Sequence, residues 1–237
     1  IGLTEAEATG ALLCLDVTEA VLDEAIALGY NLVISHHPLI FKGYKSITGK
    51  DYVERCILKA IKNDIVIYSA HTNLDNAYGG VNYKIAEKIG LKNLQVLEPK
   101  ENSLQDDLTQ VGAGIVGELD EPETELEFLK RIKKTFEVGC VRHNRLTGRE
   151  IQKVALCGGA GAFLLPQAIR AGADVFITGE IKYHDYFGHE GDILMAEIGH
   201  YESEQYTKEI FYSIIRDLFP NFALQSSKIN TNPIKYL

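Results

Sequence analysis

Short unbroken apolar runs alternate along this chain with stretches whose apolar residues recur at helical spacing, and that alternation predicts β-α-β units. Residues 10–15 form a continuous apolar run, the mark of a strand buried on both faces. Ala20, Val21, Ala25, Ile26 and Leu28 then give a helix its apolar face, with Asp16 or Thr18 to cap it and Gly29 to stop it. A second strand, 32–34, ends in His36-His37-Pro38, so the first two strands should be parallel. A Gly- and Lys-containing loop (41–50), a helix over 51–62 and a strand over 65–70 follow, and that strand ends in His71-Thr72-Asn73-Leu74-Asp75. Gly79-Gly80 leads into a helix through Val81, Ile85, Ala86 and Ile89 that Gly90 closes.

Residues 98–110 are polar and lack apolar periodicity, so we expect a connection there between a first half (1–97) and a second (111–237). The second half should open with a strand over 111–116. Pro122 fits a first helical turn, with Leu126, Leu129, Ile132 and Phe136 as its buried stripe, and 138–141 reads as a strand. Strand 154–157 precedes Gly158-Gly159-Ala160-Gly161 and a helix ending at Gly172. The dinucleotide spacing G-x-G-x-x-G fails because Leu164 stands at the third glycine, and a close helix-strand turn is the better reading. Tyr206, Ile210, Ile214 and Leu218 mark a late helix.

The chain also resembles itself. Ala25 to His37 matches Ala168 to Glu180 through helix end, glycine, strand and exit loop, placing Gly179 and Glu180 where His36 and His37 stand. His71-x-x-x-Asp75 answers His200-x-x-x-Glu204, each after a strand. The expected fold class is therefore α/β, in two related halves.

Composition narrows the function. With 237 residues and 46% hydrophobic content the chain can bury a substantial core, and its formal charge of -9 disfavours a phosphate backbone as partner. Nucleic acid is thus not expected. Cys14, Cys56, Cys140 and Cys157 are far apart without a C-x-x-C pair, which suits a reducing cytoplasm better than a disulfide scaffold or zinc finger. No run approaches the roughly 18 apolar residues of a membrane span. The start at Ile1 rather than Met leads us to expect further residues upstream. The cluster Arg142, His143, Arg145 and Arg149 reads as a solvated loop ahead of an anion site.

Ligands of parallel sheets gather at the carboxyl ends of strands, where His36, His37, His71 and Asp75 fall. An adjacent histidine pair taken alone is more often structural than metal-binding. If the segment after Gly199 is helical, His200 and Glu204 share one face and can present an imidazole and a carboxylate to one ion. His36, His37, Asp75, His200 and Glu204 supply too few donors to fill two coordination shells, leaving positions for water, as in catalytic sites. Mixed nitrogen and oxygen ligation without thiolate suits two divalent ions of Zn, Mn, Fe, Co or Ni without choosing among them.

At these residues the chain resembles the NIF-three-like family, also known as dinuclear metal-centre proteins or type-two GTP cyclohydrolase I homologues. The likeness lies in Leu15-Asp16-Val17-Thr18, Ile34-Ser35-His36-His37-Pro38-Leu39-Ile40-Phe41, Tyr68-Ser69-Ala70-His71-Thr72-Asn73-Leu74-Asp75, Gly79-Gly80-Val81-Asn82, Thr178-Gly179-Glu180-Ile181-Lys182-Tyr183-His184 and Gly199-His200-Tyr201-Glu202-Ser203-Glu204. The resemblance implies interlinked α/β halves with mixed sheets flanked by helices, a homohexamer built as a trimer of dimers, and a two-metal site with His36, His37, Asp75, His200 and Glu204 as ligands and His71 nearby. Some relatives carry an extra domain between the halves, for which residues 98–142 are too short here. The acidic, Asn-rich segment that usually precedes Gly2-Leu3 is missing. The function expected first is a metal-dependent hydrolase acting on a small substrate, GTP being one candidate, with His71 or Glu180 moving protons. The competing class is a non-catalytic metal-binding ring that recruits partners.

Overall fold

The computed structural model describes residues 1–100, 111–189 and 191–237. The chain begins β1 (Ala11–Cys14), α1 (Glu19–Leu28), β2 (Leu32–Ser35), α2 (Tyr52–Lys62) and β3 (Val66–Ser69). It continues α3 (Thr72–Asp75), α4 (Val81–Ile89), β4 (Lys92–Pro99), β5 (Gly112–Thr124), α5 (Glu125–Thr135) and β6 (Arg142–His143). It ends β7 (Glu150–Cys157), α6 (Leu165–Arg170), β8 (Val175–Thr178), β9 (Leu194–Glu197), α7 (His200–Glu204), α8 (Thr207–Leu218) and β10 (Leu224–Ser226).

Two compact units result, one of Ile1–Thr72 with Thr207–Lys235, the other of Asn73–Tyr206 with Tyr236–Leu237. The first holds a wholly parallel sheet in the order β10-β1-β2-β3, and the second a mixed sheet in the order β4-β5-β7-β8-β9-β6. In the first unit Leu12, Cys14 and Val33 pack with Val21, Leu22 and Ala25 of α1 and Cys56, Ile57 and Ala60 of α2. In the second, Ala155, Phe176 and Met195 pack with Leu165 and Ala168 of α6. Burying each Val, Leu, Ile, Phe or Met side chain among these contributes about 1.5–3 kcal/mol.

These units differ from the expected division at 98–110. Residues 101–110 lie outside the described residues, while Glu98 and Pro99 end β4, a strand the apolar pattern did not announce. The expected second half also loses α8 and β10 to the first unit, because β10 pairs in parallel with β1 (Ala11 beside Leu224). Pro122 sits in β5 rather than in a helical turn. Pairing of β5 with β7 shifts between Glu118 and Glu123, so the missing N–H falls at an irregularity. Helix α5 starts three residues after Pro122, where Thr124 and Glu127 close a capping box. Residues 138–141 form no strand; pairing begins at Arg142, which faces Glu197 of β9. The helix ending at Gly172 begins as a 3-10 turn (Ala162–Leu164) before α6.

The internal likeness is carried by the backbone. Ala11 pairs with Leu32 and Leu32 with Val66 in the first unit; Val154 pairs with Val175 and Val175 with Leu194 in the second. The helix before each middle strand stops the same way. Gly29 (φ 69°) donates to Ile26 O and Tyr30 to Ala25 O, and Gly172 (φ 67°) donates to Ile169 O and Ala173 to Ala168 O. The shared register also corrects one pairing: Ala70 corresponds to Ile198, so His71 answers Gly199, and His200 lies one residue further along.

Candidate metal centre

In the first unit, β2 extends past Ser35 through backbone bonds from His36 N to Cys14 O (3.3 Å) and from His37 N to Leu15 O (2.9 Å). Both imidazoles are thereby fixed at the carboxyl end of the sheet. His36 is fully buried and its Nδ1–H donates to the Ala70 carbonyl (2.9 Å), just beyond β3. A carbonyl only accepts, which assigns the proton to Nδ1 and the lone pair to Nε2 in the neutral ring. His37 repeats the arrangement with a carboxylate, its Nδ1 lying 2.7 Å from Asp16 Oδ1. Helix α1 is capped by Thr18, so Asp16 serves the histidine and not the helix. Ser35 Oγ steadies the exit by donating to His37 O (2.9 Å). His71 brings a third ring, centroids 5.3 Å from His36 and 5.5 Å from His37, and one nitrogen of each ring lies within 4.8 Å of the others. Phe41 stands edge-on to His71 at 5.9 Å.

The second unit supplies mostly carboxylates. Helix α7 places His200 and Glu204 on one face, with Nε2 to Oε2 at 3.1 Å and Glu204 almost fully buried. His200 Nδ1 lies 2.8 Å from Glu180 Oε1, so Glu180 orients the imidazole. Burial opposes a charge on His200, but its bonds and Coulombic attraction to Glu204 and Glu180 outweigh burial and raise its pKa. Carboxylate oxygens of Asp75 and Glu204 lie within 4.8 Å of each other. Burial first, then the charges of Asp75 and Glu204, push the Cys157 thiol up to about 12, so it is a packed hydrophobe and no thiolate ligand.

Two other candidates are used structurally. In the Gly-rich turn, Gly158 N donates to Asn82 Oδ1, Gly159 N to Ser203 Oγ and Gly161 N to Thr178 Oγ1, leaving these amides engaged within the protein. In the basic cluster, Arg142 pairs with Glu197 and donates to Ile181 O, and Arg149 donates to the carbonyls of Gly191 and Asp192.

The donors fit a divalent metal. His36 and His37 each commit Nδ1 to an acceptor, the outer-shell arrangement that presents Nε2 to an ion. Around Glu204 and His200 the chain lacks bulk where an ion needs room: a Cβ on Gly159 would stand 2.3 Å from Glu204 Oε1 and 3.3 Å from His200 Nε2. Asp16, Asn82, Ser203 and Gly159 were not singled out in the sequence as parts of this centre. A carboxylate at the end of the first strand of a β-α-β unit was the available signal for Asp16.

Known proteins resemble the chain along its length. The family model described as Duf34/NIF3 (NGG1p interacting factor 3) matches residues 1–233. A Lactococcus lactis protein named GTP cyclohydrolase 1 type 2 homolog is 33% identical over 98% of this chain and 88% of its own length. The crystal structure of a Staphylococcus aureus hypothetical protein superposes with a TM-score of 0.90 at 33% identity, covering 100% of this chain and 90% of that one. A Bacillus cereus protein related to NIF3 gives 0.88 at 26% identity, covering 100% and 91%.

Proposed function

The chain belongs to the Duf34/NIF3 family, and from that premise we propose that it is a metal-dependent hydrolase whose His36, His37, Asp75, His200 and Glu204 hold two divalent ions. The observation that carries this reading is the locked pair of imidazoles, His36 against the Ala70 carbonyl and His37 against Asp16. Ions bound by such ligands would supply Lewis-acid polarisation and acidify water at neutral pH. The chain's own residues do the rest. Asp16 holds His37 in one tautomer and strengthens its basicity. Glu180 does the same for His200, and its exposed position also lets it pass a proton to solvent. His71, beside both ligand histidines, is the second proton carrier in this proposal. Phe41, itself largely exposed, packs perpendicular to that ring at 5.9 Å between centroids.

The name of the Lactococcus lactis relative makes GTP ring opening one reaction to try. The test is metal-loaded protein incubated with GTP, phosphoesters and cyclic amides, beside a His37→Ala, Glu204→Ala double variant. Metal-dependent turnover by the wild type alone is the expected result. Turnover of none of these substrates contradicts the hydrolase reading for them and favours the metal-binding ring. A homohexamer belongs to the same proposal, and light scattering on the eluting protein should give six chains per particle.

A further inference from the structure

The Gly158–Gly161 loop offers no ligand, yet it is tied to the elements that carry three of them. Asn82, in the first turn of α4 and 3% exposed, donates from Nδ2 to the Asp75 carbonyl (2.9 Å) and accepts the Gly158 N–H on Oδ1 (2.9 Å). Both partners fix the amide's orientation, since a carbonyl only accepts and a peptide N–H only donates. Ser203, 1% exposed, accepts the Gly159 N–H (3.0 Å) and donates to the His200 carbonyl (2.8 Å). Thr178 closes the far side, donating to Gly159 O (3.1 Å) and accepting from Gly161 N (3.0 Å). The loop comes this close only because position 159 lacks a Cβ, and its φ of +58° also favours glycine.

We propose that this loop is a clasp that sets the distance between Asp75 and the His200–Glu204 pair, with Asn82, Ser203 and Gly159 as positioning residues for metal. The inference rests on the metal-binding reading above. Removing the Asn82 amide frees the Asp75 backbone from the loop. Adding a methyl at Gly159 drives the Glu204 carboxylate from its place. Outer-shell changes of this kind weaken metal binding by about 10–100-fold.

The test uses the full chain, stripped of metal and titrated with Zn or Mn against a fluorescent chelator well below its melting temperature, as wild type, Asn82→Ala, Ser203→Ala and Gly159→Ala. Melting of each metal-free variant is recorded alongside, so that lost affinity is read only in protein shown to be folded. Amide exchange at residues 158 and 159 gives a readout independent of metal. The expected result is folded Asn82→Ala and Ser203→Ala with affinity down about 10–100-fold and faster exchange at Gly158 and Gly159 respectively. Wild-type affinity in the folded variants, or unchanged exchange, overturns the clasp while leaving the metal reading intact. A wild type that takes up no metal overturns both.

Discussion

The two units share a three-strand frame with the same register, and they furnish its carboxyl ends with opposite chemistry. At matching positions after the middle strand the first unit has His36 and His37, and the second has Gly179 and Glu180. At matching positions after the preceding strand the first has Asp16, which orients a histidine, and the second has Gly159, whose missing side chain leaves room beside Glu204. One frame thus carries two imidazoles, one steadied by a backbone carbonyl and one by a carboxylate, and the other carries two carboxylates, Glu180 and Glu204, around one imidazole. The frame determines where a ligand can stand; the residue at that place determines whether it donates, orients or stays out of the way.

The sharpest way to break this comparison is to remove the orienting carboxylate from each side. On the proposed metal reading, Asp16→Ala and Glu180→Ala should each weaken Zn or Mn binding by about 10–100-fold in a chelator competition, since each frees the Nδ1–H of a proposed ligand histidine. Loss with Asp16→Ala and none with Glu180→Ala would assign orientation to the first unit only.

A second likeness can be tested by acid. Each unit fastens a Thr-Gly-basic loop with a buried glutamate. Glu54 accepts from Thr48 N, Thr48 Oγ1 and Lys50 N, and Glu125 accepts from Thr147 N, Thr147 Oγ1 and Gly148 N. Burial would raise the Glu54 pKa, but the bonds from Thr48 and Lys50 overcome it and hold the carboxyl at about 2. A lowered carboxyl pKa stabilises the fold fully above the unfolded value, and the contribution fades as pH falls toward the folded one. Glu54→Gln should therefore melt below the wild type at neutral pH, with the gap closing as pH approaches about 2. A gap that stays constant down to that pH would show that the charge on Glu54 is immaterial to the loop.

The smallest effect concerns the helices that lead into the strands. Thr18→Ala removes the side-chain cap of α1 and should cost about 1 kcal/mol in denaturant unfolding, with metal affinity unchanged. A change in affinity would mean that Asp16 depends on that cap.

Much of this was legible in the sequence because it is local. The apolar runs of β1, β2, β7 and β8, the helix stops at Gly29, Gly90 and Gly172, and the family motifs around His36, Asp75 and His200 all read directly from neighbouring residues. What was missed depends on distant partners. The strand β10 is only three residues long and owes its existence to pairing with β1, so no periodicity marks it. Pro122 read as a helix start because the shift in β5 pairing that accommodates it involves residues of β7. The shared register moves His200 one residue from the position that spacing alone assigned, since spacing does not count the Gly199 step. Asn82 and Ser203 stand within the family motifs, but what they hold is hidden until their partners 76 and 44 residues away are known.

The central claim, that the histidines and carboxylates of the two units are metal ligands, is tested most directly by elemental analysis of protein purified without chelator, joined to melting with added Zn or Mn. Bound transition metal is predicted, with a rise of about 5–10 °C at free metal near 100 times Kd, equivalent to about 2.7 kcal/mol, and both should be lost in the His37→Ala, Glu204→Ala variant. Metal-free protein whose melting temperature does not move with either ion would contradict it.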